Sequence, residues 1–205
     1  MIKSQINGLF PTPVYITKLT REFSENENQL VDDYKLKTYK NAGNVTSMND
    51  YILENEQFSN LKKELTDIVK DYYDKVISSS DNIEPYITQS WLNYTKPNEY
   101  HHTHAHPNSL VSGVLYINAD KDNDKIFFHK NNKHQTIKPT VKNYNLFNSD
   151  TWWFPVETLD VILFPSSLTH DVEIKQGDNT RISLAFNTFI KGKLGDNREL
   201  TELKI

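Results

Sequence analysis

From residue 85 onward the chain breaks into short runs rich in β-branched and aromatic residues: PYITQSWLNYT, HHTHAH, SLVSGVLYIN, KIFFHK, LDVILF, LTHDVEI and TRISLAFNTFI. Turn-forming stretches such as KPNE, DKDND and KQGDN part them. Runs of that length and punctuation predict strands rather than helices. Some seven or eight strands after a helical half predict a mostly β fold, a double-stranded β-helix (jelly roll, cupin-like) backed by N-terminal helices.

The first part of the chain supplies that backing. GLFPTPVYITKL carries two prolines and reads as an extended edge element, and Ser24 is placed to cap a polar helix over roughly 25–37. Phe58, Leu61, Leu65, Ile68, Tyr72 and Val76 recur at spacings of three and four, which predicts an amphipathic helix over about 56–78. A length of 205 residues suits one domain over 1–205, with about 1–80 holding the edge strand and supporting helices and about 84–192 the β-helix core.

Composition excludes several function classes. No apolar run approaches the ~18 residues of a membrane span, so a soluble protein with no membrane partner is expected. The start of the chain lacks the continuous apolar core of a secretory signal. With no cysteine there is neither a disulfide framework nor a thiolate-held metal, so a reducing, cytoplasmic setting is expected. A net charge of -4 and a pI near 6.0 give no electrostatic reason to expect nucleic-acid binding.

Strand parity says more than strand count. In TRISLAFN, alternation sets Ile182, Leu184 and Phe186 on one face and Arg181, Ser183, Ala185 and Asn187 on the other. The second set is small apart from its arginine, which leaves room for a ligand inside a barrel. In LTHDVEI the same rule puts Leu168, His170, Val172 and Ile174 together and turns Asp171 away from His170.

Four of the seven histidines fall within HHTHAH. On an extended segment His102, His104 and His106 project to one side, and His101, Thr103 and Ala105 to the other. Residues four apart begin ~13 Å apart at the usual rise, so the natural metal-binding pair is His104 with His106 or His102 with His104. His170, inward and near a strand end, is the third candidate. Neutral imidazoles suit iron, copper, nickel and zinc in a facial site with open positions. His129 and His134 lie in a Lys- and Asn-rich hairpin and read as solvated. Arg181 follows His170 by eleven positions and shares its cavity, while no carboxylate stands on its own strand face. A buried cation without a partner is costly, so a dicarboxylic ligand is expected to bridge metal and Arg181, with the Ser183 hydroxyl beside it.

The stretches WLNYTKPNEYHHTHAHPNSLVSGVLYIN, LFPSSLTHDV and RISLAFN, with the opening GLFPTPVY, resemble the iron(II)/2-oxoglutarate-dependent oxygenases, and among them a prolyl-hydroxylase-like branch found in phages and marine bacteria. The resemblance implies Fe(II) near one mouth of the β-helix, 2-oxoglutarate and O2 as cosubstrates, and hydroxylation of a small molecule or peptide with release of succinate and carbon dioxide. By motif His104 and His106 take the H-x-D/E positions, His170 the distal-histidine position, and Arg181 and Ser183 the R-x-S carboxylate clamp. Tyr116 looks like the tyrosine that helps bind the same carboxylate, and Asn93 is a further pocket candidate. The chain departs from the pattern at His106, where the superfamily offers a carboxylate.

Two other readings compete: a cupin-like three-histidine metal enzyme that uses no 2-oxoglutarate, and a non-catalytic jelly-roll binding module whose histidines are incidental. SDTWWFPVE reads as a loop whose Trp152, Trp153 and Phe154 either line a substrate mouth or plug the core beneath the helix.

Overall fold

The computed structural model describes residues 2–131, 137 and 139–205. In chain order its elements are β1 (Tyr15–Lys18), α1 (Glu25–Lys35), β2 (Thr38–Lys40), β3 (Val45–Ser47), α2 (Ser59–Tyr72), β4 (Asn82–Thr95), β5 (His101–His104), β6 (Val111–Asn118), β7 (Lys125–His129), β8 (Thr151–Pro155), β9 (Asp160–Pro165), β10 (His170–Val172), β11 (Arg181–Leu194) and β12 (Leu203–Lys204). One sheet runs β1-β9-β6-β11-β4-β3-β2, with β12 pairing β11. A second runs β5-β10-β7-β8, and every pairing in both sheets is antiparallel. Helices over one face of a mainly antiparallel jelly roll make the architecture the strand pattern predicts.

Alternation in the larger sheet separates two interiors. Leu92, Leu115, Val161, Leu163, Leu184 and Phe186 join a core with Leu61, Leu65, Val69 and Tyr72 of α2. Their strand neighbours turn the opposite way: Tyr116, Ile162 and Phe164 meet Ile126 and Phe128 of the smaller sheet in a second cluster. The central strands β6, β9 and β11 therefore seal the helical core with one residue and face the space between the sheets with the next.

Local chemistry accounts for both helices. Ser24 accepts from the Glu27 backbone N–H while Glu27 accepts from the Ser24 N–H, a capping box that fixes where α1 begins. A 3-10 turn at Glu56–Phe58 leads into α2, and a π turn over Tyr73–Ile77 follows it. The wider turn breaks the helical phase and leaves Val76 partly exposed rather than on the buried stripe. Among the described residues no helix is long and apolar enough to cross a membrane.

One expectation changes. SDTWWFPVE is not a loop: Thr151–Pro155 pairs with β7, and Phe154 packs on the second cluster while Lys125 lies over the exposed Trp153 ring at 4.4 Å. These aromatics stand at the edge of the smaller sheet, across the larger sheet from the helices. The short strands β2 and β3 carry no periodic signal of their own; they form because β3 pairs with β4.

Gly113 on β6 stands between Leu163 of β9 and Phe186 of β11 in the larger sheet, where both large side chains close over it. A Cβ there would fall 2.2 Å from the Phe186 ring and 2.7 Å from Leu163, both fully buried. Gly113→Ala is expected to destabilise the protein by about 1–3 kcal/mol through overpacking, read as a lower midpoint in denaturant unfolding.

Candidate metal centre

The centre begins with an irregular pairing. His170 on β10 stands opposite His104 on β5, whereas Val172 stands opposite His101. Three steps on β5 thus match two on β10, a bulge that resets the alternation. In consequence His101, not His102, shares the inner face with His104, and the two rings stack with centroids 4.7 Å apart. This corrects the parity reading, which had turned His101 outward.

Backbone carbonyls set the tautomers. The His104 Nδ1–H donates to the His102 carbonyl at 2.7 Å and the His170 Nδ1–H to the Leu168 carbonyl at 3.0 Å, leaving both Nε2 lone pairs free. His106 is held by its backbone N–H, which donates to the Ser166 carbonyl, and its Nε2 lies 3.3 Å from that of His170. Ligand atoms of His104, His106 and His170 all fall within 4.8 Å of one another. Two imidazole nitrogens facing each other at that separation suit adjacent positions on one ion. The cluster is a buried polyhistidine site fit to bind a metal.

Burial pulls all three imidazoles below their ordinary pKa. It takes His106 to about 4 and His170 to about 3, with repulsion from His104 adding to both. His104 is lowered too, though its bond to the His102 carbonyl opposes the shift. The rings are therefore neutral and ready to ligate at pH 7. Asp171 is occupied elsewhere: its Oδ2 accepts from Thr103 Oγ1 at 2.6 Å and from His129 Nε2 at 2.7 Å. His129 is thus paired and half-buried rather than solvated, and its partner in that expectation, His134, lies outside the described residues.

The cavity extends from the imidazoles past Asn93, Tyr116 and Ser183 to Arg181, with a volume of about 500 Å³ including its mouth. Register places Asn93, Ser183 and Tyr116 side by side on β4, β11 and β6. Burial pushes the Tyr116 phenol up, so it is a neutral O–H. Asn93 Oδ1 accepts from Thr46 Oγ1 at 3.1 Å. Arg181, only 3% exposed, donates from Nη2 to Thr95 Oγ1 at 3.2 Å.

Arg181 also has a carboxylate near it, contrary to the expectation that only a ligand could supply one. Asp124, from the turn before β7, sits 3.7 Å from Arg181 and 3.4 Å from Lys175, all three side chains buried. Asp124 thus stands near two cations, and the half-buried Asp120 carboxylate also lies close enough to interact with Lys175. His101, Thr95, Asp124 and Lys175 were not singled out from the sequence; Asp124 and Lys175 lie in turn segments without periodicity that meet only in three dimensions.

Comparison with known proteins bears on the fold. The sequence model of the family described as "Putative 2OG-Fe(II) oxygenase" matches residues 89–187, from β4 into β11. HygX from Streptomyces hygroscopicus, solved with nickel, 2-oxoglutarate and hygromycin B bound, superposes with a TM-score of 0.59 at 13% identity, covering 86% of this chain and 82% of that one. A 2OG-Fe(II) oxygenase family oxidoreductase from Burkholderia pseudomallei gives 0.56 at 12%, covering 84% and 83%. The non-heme alpha ketoglutarate dependent epimerase SnoN from nogalamycin biosynthesis gives 0.59 at 9%, covering 87% and 78%. No curated protein matches the sequence significantly. The chain shares the fold of these oxygenases.

The lowered imidazoles set a pH dependence. The unfolded chain takes up protons near the ordinary histidine value of 6.5, while folded His106 and His170 wait until about 4 and about 3. Stability of the metal-free protein is therefore full above 6.5 and falls as pH drops through that window, by up to about 1.4 kcal/mol per pH unit for each imidazole. Denaturant midpoints at pH 7 and pH 5 should differ in that direction, and His106→Ala should reduce the difference.

Proposed function

We propose that the protein is an iron(II)- and 2-oxoglutarate-dependent dioxygenase that hydroxylates a small molecule or peptide, acting in the cytoplasm. The observation that carries this reading is a buried guanidinium at one end of a cavity whose other end presents three neutral imidazoles. His104, His106 and His170 would hold Fe(II) through Nε2. Arg181 would fork onto the distal carboxylate of 2-oxoglutarate, with the Ser183 hydroxyl and the Tyr116 O–H donating beside it and Asn93 shaping the wall. When bound, iron and cosubstrate together with O2 supply the oxidising chemistry: one oxygen atom goes to the substrate C–H and the other to succinate, with carbon dioxide lost. Aromatic walls at His170, from Phe164 with its ring centroid at 4.6 Å and from Phe128, would restrict water on that side of a bound ion.

A second reading is favoured by Asp124. Because that carboxylate already stands near Arg181, the arginine does not require a dianion, and a three-histidine enzyme that binds its substrate directly needs no 2-oxoglutarate. Anaerobic Fe(II) titration with and without 2-oxoglutarate separates the two. The oxygenase predicts a visible charge-transfer band that appears only when both are present; a spectrum indifferent to 2-oxoglutarate selects the second reading.

Two variants sharpen the test. Arg181→Ala is expected to weaken 2-oxoglutarate binding about 100-fold, the ~3 kcal/mol of a buried charge left unpaired, while Fe(II) binding persists. Lys175 keeps Asp124 compensated in that variant, so the fold should survive. His170→Ala should remove the charge-transfer band that depends on both Fe(II) and 2-oxoglutarate and, with it, succinate formation.

A further inference from the structure

A second group of imidazoles stands against the first. His101, His102 and His104 also have ligand atoms within 4.8 Å of one another. Their ring centroids lie 5.2, 4.7 and 4.8 Å apart, the same span as the 4.9, 4.3 and 5.1 Å of the inner triad. His102 Nδ1 is buried without a hydrogen-bond partner. A buried ring nitrogen without a partner is unfavourable, and coordination would relieve it.

The placement of this group is directional. His102 lines an open outer groove with Tyr100, Asp171 and Glu173, His104 lines the inner cavity, and His101 lines both. No lysine or arginine is among the groove's lining residues, so its field favours a cation. The bulge in β5 creates the passage by bringing His101 inward beside His104.

We propose that His101, His102 and His104 form a loading site that takes a divalent first-row transition-metal ion from the outer groove and passes it to the inner triad by ligand exchange at His104. The His104 Nδ1–H is committed to the His102 carbonyl, so His104 offers one lone pair and the two sites hold one ion between them, not two. His101 and His102 release as His106 and His170 engage. The proposal rests on the function above only in taking the inner triad as the ion's final position.

Cobalt(II), followed by its visible absorption without 2-oxoglutarate, tests this. Wild-type protein should bind one equivalent. His106→Ala/His170→Ala, which leaves the outer triad intact, should still bind one equivalent with an altered spectrum, and adding His102→Ala should abolish binding. His102→Ala alone should reach the wild-type spectrum but load about tenfold more slowly, within the range seen when a supporting group around a metal is removed. A folded double variant that binds no cobalt overturns the proposal, as does His102→Ala loading at the wild-type rate; the second measurement decides even if the double variant does not fold. Normal cobalt loading without any response to 2-oxoglutarate would sink the oxygenase reading alone.

Discussion

The pairing of β10 with β5 is the constraint on which the centre depends. It joins segments more than sixty positions apart and sets His170 opposite His104, so two imidazoles converge because the backbones are hydrogen-bonded. His106 then needs only its backbone N–H bond to the Ser166 carbonyl to complete the triad. Ser166 lies four residues before His170, so the same segment that carries one ligand anchors another. The bulge within this pairing also decides which further histidine faces inward.

The alternation of β11 is the complementary device at the other end of the cavity. Leu184 and Phe186 bury against the helical core and so fix the register of the strand; the register in turn fixes Arg181 and Ser183 toward the space between the sheets. A slip of one residue would exchange the two faces and put a guanidinium into a hydrocarbon core. Apolar packing on one side thereby enforces the polar site on the other.

That division explains what could be read from the sequence. Where a strand alternates cleanly, as in RISLAFN, parity gave both the core residues and the cavity residues. Parity failed in HHTH because a bulge leaves no compositional mark. It was also silent on Asp124 and Lys175, which act through contacts between two turns rather than through any period. The brief strands β2 and β3 escaped for the same reason: their pairing with β4 makes them strands, and this pairing delivers Thr46 to Asn93. TWWFP reads as a loop because its single proline and polar flanks resemble one, while the strand that pairs with it, β7, is separated from it by a long polar connection.

Charge links the two ends of the cavity. Three neutral imidazoles contribute nothing to the net charge, and at the deep end two buried cations stand near Asp124. A divalent ion would leave the cavity strongly positive, more so than in a site where a carboxylate replaced His106. A dianion that touched both the ion and Arg181 would offset most of that excess, whereas a neutral substrate would offset none of it. In the proposed site an imidazole at His106, where a carboxylate could stand, would transfer charge balance from the protein to its ligand. Asp124 moderates the transfer without removing it, because Lys175 claims the same oxygen at the shorter distance.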